Sequence, residues 1–162
     1  MNVLIGSDKS GFQLKEEVKA YLTEKGYTLT DCGTLDPEKP TPFFDVAPIA
    51  AAKIQSGEFE RAILICGTGM GMAIVANKYK GVYAACCEST YSAEKARAVN
   101  DANILTMGGW IVGGILGCEM AEKFLSTAFT QNLEEWRQEF LKGAKLKVGA
   151  VEESIYSVVI NS

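Results

Sequence analysis

Arg61-Ala62-Ile63-Leu64-Ile65-Cys66-Gly67-Thr68-Gly69-Met70-Gly71-Met72-Ala73-Ile74-Val75-Ala76-Asn77-Lys78 is the stretch that decides the fold. Ala62 to Ile65 is apolar and rich in β-branched side chains, which predicts a short, fully buried strand. Glycines then alternate at 67, 69 and 71, and helical spacing resumes at Met72. A buried strand therefore ends at a thiol, and a glycine loop opens a helix. Glycine lets such a loop take positive φ and bring its N–H groups close to a ligand. The first turn of a helix adds unpaired N–H donors and a partial positive charge. That combination suits a phosphate, a carboxylate or a developing enediolate oxygen.

Cys66 stands where the strand ends and the anion site begins, a place where a thiol can act as a base or nucleophile. The competing reading is a core cysteine packed as a small hydrophobe. The loop is neither a Walker A loop, since no Gly-Lys-Ser/Thr follows, nor a dinucleotide fingerprint, since the glycine spacing differs and no acidic residue follows at the right distance.

The chain has 162 residues, 48% of them apolar and 22% charged, which is enough to bury a real core and argues against disorder. A net charge of −4 offers no basic excess for nucleic acid. No apolar run is long enough to span a membrane, and the start at Met1 leaves no room for a signal peptide. Five cysteines without CxxC spacing fit a reducing, cytoplasmic setting with free thiols. Cys86 and Cys87, adjacent in an apolar run, read as core. There is no histidine, so any acid–base work must come from Cys, Asp, Glu, Lys or Tyr.

Around the central stretch, strands are predicted at 2–7, 27–32, 81–87 and 103–107. Helices are predicted at 11–25, 43–56, 89–99, 111–128 and 132–146. Gly26 stops the first helix, Pro48 falls within the second and either kinks it or sits in its first turn, and Ser89 or Thr90 caps the next. Strands alternating with helices imply a three-layer α/β/α sandwich, a five-stranded parallel Rossmann-like sheet with helices on both faces. Residues 1–149 form the domain, and 150–162 a C-terminal tail. Ligands in such sheets bind at the carboxyl ends of the strands, where strand order reverses. Asp8 and Lys9, Cys66 to Gly71, and Gly108 to Trp110 all fall there, which favours a working Cys66 over a core one.

Ser7-Asp8-Lys9-Ser10-Gly11-Phe12, Ile65-Cys66-Gly67-Thr68-Gly69-Met70-Gly71, Ala76-Asn77-Lys78 and Asn100-Asp101-Ala102-Asn103-Ile104-Leu105 together resemble the type B ribose-5-phosphate isomerases and the galactose-6-phosphate isomerase subunits. The likeness runs in unbroken order to about residue 140. It implies aldose–ketose isomerisation of a sugar phosphate through a cis-enediolate, with no metal or cofactor. Carried over, Cys66 moves a proton between C1 and C2, and Thr68 assists transfer between the two oxygens. Asp8 holds sugar hydroxyls, and the backbone of Gly67, Gly69, Met70 and Gly71 stabilises the enediolate. Asn100 meets the sugar, often from a neighbouring subunit, which implies a homodimer or homotetramer. Leu133, Trp136 and Phe140, spaced along the last helix, could lie across such a partner.

The departures bear on substrate. Family members usually carry His where this chain has Lys9, and a ring-opening His where it has Val99. Their Tyr-Pro is Thr41-Pro42 here, and a phosphate-binding Arg is replaced by Trp110. Of two C-terminal arginines, one is Leu133 and the other remains as Arg137. Three substrate readings follow: a short open-chain sugar phosphate held by Lys9 and Arg137, an unphosphorylated sugar with Trp110 as a stacking face, or slow ribose-5-phosphate isomerisation. Lys9 otherwise reads as a solvated lysine, Trp110 as a core or subunit contact, and Arg137 as an ion-paired helix residue. A catalytically silent sugar-binding protein, or one half of a mixed oligomer, is the remaining alternative.

Overall fold

The computed structural model describes residues 1–160. Five strands, β1 (Asn2–Ser7), β2 (Thr28–Asp31), β3 (Ala62–Cys66), β4 (Ala84–Cys86) and β5 (Ile104–Gly108), pair in parallel in the order β2-β1-β3-β5-β4. From β1 the chain moves outward to β2, then returns to build β3, β5 and β4 on the other side. Strand order therefore reverses between β1 and β3.

Side-chain alternation divides the core between two faces. Ile63 and Ile65 of β3, with Val3, Ile5, Leu105 and Met107, pack under α1 (Phe12–Glu24), α4 (Thr90–Ala98) and α5 (Gly114–Ser126). Ala62, Leu64 and Cys66, with Leu4 and Ile104, pack under α2 (Phe43–Gln55) and α3 (Met70–Ala76). Every residue of β3 is buried, as the apolar run requires.

Several local expectations are refined. Pro48 lies inside α2 rather than at its start, where it deprives the Phe44 carbonyl of a helical donor. Ser89 caps α4 in a reciprocal capping box with Ser92. β4 is only Ala84–Cys86, and at this sheet edge Cys86 is exposed while Cys87 is buried. Reading both as core is therefore corrected for Cys86. All five thiols are free.

The last helix, expected over 132–146, is α6 (Glu135–Ile160). It runs on through the segment read as a tail because side chains beyond residue 146 find partners on the turn before β4. Glu152 accepts from the Gly81 N–H at 2.7 Å and the Tyr83 hydroxyl at 3.1 Å, and Glu153 pairs with Lys80 at 2.6 Å. Nearer its start, Lys145 meets Asp101. Trp136, Phe140, Leu146, Val151, Ile155 and Val158 leave an exposed apolar run along α6. Among the described residues no helix is long and apolar enough to cross a membrane.

Lys15 on α1 is fully buried. Its ammonium donates to Asp31 at 2.7 Å and to the Thr34 carbonyl, fixing the end of β2 to α1. Burial works against the Asp31 charge, but Lys15, Lys19 and the Gly33 N–H outweigh it and hold the carboxyl below its ordinary range.

Candidate active site

The loops after β1, β3 and β5 meet at the carboxyl ends of the strands. Asp8 N–H donates to the Ile65 carbonyl at 3.3 Å, so the first loop is bonded to the last turn of β3. Gly109 N–H donates to the Cys66 carbonyl at 2.8 Å, and Trp110 N–H to the Gly67 carbonyl at 3.0 Å. Cys66 is thus held between two neighbouring loops at the point where strand order reverses.

Cys66 is 4% exposed, with its side chain on the α2/α3 side of the sheet. Its Sγ accepts the Gly69 N–H at 3.2 Å. Gly69 reaches that position at φ +78, and a Cβ there would lie 2.7 Å from the Met107 carbonyl carbon. Both conditions demand glycine. An N–H aimed at sulfur suits a group that carries negative charge while a proton moves.

Thr68 is half-buried, and its hydroxyl oxygen accepts the Met70 N–H at 3.3 Å. Met70 itself is exposed at the start of α3. Gly71 faces the ring of Phe43, which a Cβ would meet at 2.9 Å. Phe43, at the start of α2 just after Pro42, thus lies against the glycine loop, a contact that sequence spacing does not announce. Gly67 lies under the indole of Trp110, whose ring atoms would stand 2.8 Å from an added Cβ. The Asp8 carboxylate accepts the Gly11 N–H at 3.0 Å, leaving its other oxygen for a ligand. Lys9 is exposed at the tip of this loop and, among the described residues, ion-pairs with no carboxylate.

Asn100 and Arg137 do not join this group within the chain. Asn100 precedes β5, beside Asp101, at the amino ends of the strands. Asn103 marks that end, its carbonyl accepting the Ala62 N–H at 3.0 Å. Arg137 sits in the first turn of α6, paired with Glu134 at 3.4 Å and stacked on Trp136 at 5.2 Å. Their spacing in sequence carried no information about which end of the sheet they occupy.

Two thiols lie near the site without entering it. Cys86 points its sulfur toward the Thr68 carbonyl at 3.7 Å, and burial pushes its thiol up. Burial and the Asp31 charge push Cys32 up to about 12. The Ser7 and Thr106 hydroxyls, at the end of β1 and within β5, are buried without a partner among the described residues.

Comparison with known proteins gives the family and the fold. Residues 3–140 match the ribose/galactose isomerase family. A 4-deoxy-4-sulfo-D-erythrose isomerase from a Clostridium species is 85% identical over 156 residues, covering 96% of this chain and 98% of that protein. A D-erythrulose-4-phosphate isomerase from Pectobacterium atrosepticum is 41% identical, covering 80% of this chain and 85% of that one. The structure of Clostridium thermocellum ribose-5-phosphate isomerase B superposes with a TM-score of 0.85 at 35% identity, covering 96% of this chain and 99% of the other. The five-stranded parallel sheet is the architecture of that structure, and the chain belongs to the ribose/galactose isomerase family of sugar-phosphate isomerases.

Proposed function

We propose that the chain is an aldose–ketose isomerase acting on an open-chain four-carbon sugar with an anionic group at C4, and that this group is a sulfonate. The observation that carries the reading is the Cys66 sulfur, fixed at the strand-order reversal with the Gly69 N–H upon it. In the forward direction Cys66 Sγ takes the proton from C2 of the aldose. The electron pair moves into the C1–C2 bond and onto O1, giving a cis-enediolate. The same proton returns to C1, and the Thr68 hydroxyl moves a proton from O2 to O1, leaving the ketose. The Gly69 and Met70 N–H groups are held by Cys66 Sγ and the Thr68 hydroxyl, so the developing oxygen charge falls to the rest of the Gly67–Gly71 loop. Asp8 holds sugar hydroxyls, and Lys9 meets the anionic end.

The sulfonate rests on the relative of 85% identity, and the open-chain tetrose on chemistry, which holds for any group that replaces or blocks the C4 hydroxyl. An erythrose aldehyde closes a five-membered ring only through its C4 hydroxyl. Replacing that hydroxyl with sulfonate leaves the sugar permanently open. Such a substrate needs no ring-opening acid–base group, and this chain has no histidine, with Val99 where the family resemblance implies a ring-opening one. Ribose 5-phosphate does close into a ring, which makes it the poorer candidate.

The active unit is proposed to be a homodimer or a larger homo-oligomer. A second copy would bring Asn100 and Arg137, which face away from Cys66 within one chain, to the neighbouring site. The exposed apolar run of α6 gives such a copy a surface to cover.

The test is a substrate panel followed by NMR: 4-deoxy-4-sulfo-erythrose, erythrose 4-phosphate, ribose 5-phosphate, and galactose 6-phosphate. The reading expects the sulfonated tetrose to have the highest kcat/KM and ribose 5-phosphate to be slow. Ribose 5-phosphate as the best substrate would overturn it.

A further inference from the structure

The indole of Trp110 is the least expected group at the head of the sheet. It is 73% exposed, yet it is not loose. Its backbone N–H is bonded to the Gly67 carbonyl at 3.0 Å, and its ring lies over the Gly67 Cα, close enough that a Cβ would stand at 2.8 Å. A large apolar ring is therefore fixed on Gly67, the residue after Cys66 in the chain, and presented to solvent. Its indole N–H has no acceptor among the described residues. On its other side a cleft is lined by Ser10, Gln13, Glu17 and Gly109.

The charges around this ring are sparse. Lys9, next to Asp8 in the first loop, ion-pairs with no carboxylate among the described residues, and Glu17 lines the cleft beside the ring. Such a setting suits a single, spread negative charge. A sulfonate is a monoanion at every pH of interest, with its charge shared over three oxygens. A phosphate monoester carries close to two charges at neutral pH and is best matched by an Arg fork or several cations. Desolvating the second charge beside an apolar ring is unfavourable.

We propose that Trp110 is the residue that selects the anionic end of the substrate, admitting a carbon-bound sulfonate and disfavouring a phosphate ester by walling the subsite with an uncharged ring. The inference rests on the isomerase reading above and adds to it the group that discriminates.

The experiment compares kcat and KM for 4-deoxy-4-sulfo-erythrose and erythrose 4-phosphate in the wild type, Trp110→Arg and Trp110→Phe, with circular dichroism to confirm folding. The wild type is expected to favour the sulfonate. Trp110→Arg is expected to lower the sulfonate-to-phosphate ratio of kcat/KM by at least about tenfold, through KM for the phosphate ester. Trp110→Phe, which keeps an apolar ring, is expected to hold the wild-type preference. An unchanged ratio in Trp110→Arg, or a ratio in Trp110→Phe that falls as far, would overturn the proposal while leaving the isomerase reading intact. A wild type that prefers the phosphate ester would overturn this proposal together with the sulfonate part of the reading above, leaving only the isomerase chemistry, and needs no variant. If the wild type converts neither tetrose, the parent reading fails and this one fails with it.

Discussion

The Gly69 N–H points at the Cys66 sulfur across 3.2 Å, and it does so from a backbone conformation at φ +78 that side-chain-bearing residues rarely adopt. The thiol proposed as the base and a backbone donor to it are thus coupled through one glycine. Gly69→Ala is expected to strain the loop and press on the Met107 backbone, costing about 1–3 kcal/mol of stability. Because the donor shifts with the loop, kcat should fall by about a hundredfold. Urea unfolding and steady-state kinetics check the two effects; full activity would show that the N–H–sulfur contact is dispensable.

Lys15 is buried against Asp31 and the Thr34 carbonyl. Lys15→Ala is expected to lose about 3 kcal/mol, since it removes one partner of a largely buried pair. The pH dependence follows from Asp31, whose carboxyl is lowered in the folded state. A lowered carboxyl contributes stability that is present above its unfolded value, about 4, and lost as pH falls through the folded value. The acid limb of the stability profile should therefore be shallower in Lys15→Ala. An identical acid limb in urea titrations from neutral pH downward would contradict this.

Cys32 and Cys86 offer a test of local electrostatics. With its thiol pushed up to about 12 by burial and Asp31, Cys32 holds about one thiolate in ten thousand at pH 8. Iodoacetamide at that pH should label exposed Cys86 well before Cys32, and Asp31→Asn should speed the labelling of Cys32. Peptide mass spectrometry reads both; equal labelling rates in the wild type would contradict the reading.

Much of the fold can be read from the chain because apolar runs and glycines mark it clearly. Ile63 and Ile65 alternate with Leu64 and Cys66 between two covered faces, and that pattern needs a parallel sheet with helices on both sides. The glycine spacing after Cys66 likewise announces a close backbone loop. Other features depend on partners that lie far away in sequence. Cys86 looks like core but occupies a short edge strand. Residues 150–160 are helical because Glu152 and Glu153 meet Gly81, Tyr83 and Lys80. The burial of Lys15 depends on Asp31 and Thr34 converging on α1, which helical periodicity does not announce. Asn100 carries a recognisable motif, but only the sheet topology reveals that it lies at the opposite end from Cys66.

That separation yields a test of the proposed shared site. Cys66→Ala and Asn100→Ala chains should each be nearly inactive alone. Unfolded together and refolded, half of random dimers would be mixed, each with one complete site, restoring about a quarter of wild-type activity. Sedimentation should give a multiple of the 17.5 kDa chain mass. A monomer, or no recovery on mixing, would contradict a site built from two copies.

The central claim is that Cys66 moves the substrate proton. The most direct measurement incubates wild type and Cys66→Ala with 4-deoxy-4-sulfo-erythrose in deuterium oxide and follows, by NMR, proton exchange next to the carbonyl. The account predicts exchange in the wild type and its loss in a folded Cys66→Ala protein. Undiminished exchange without the Cys66 thiol would mean that another group is the base.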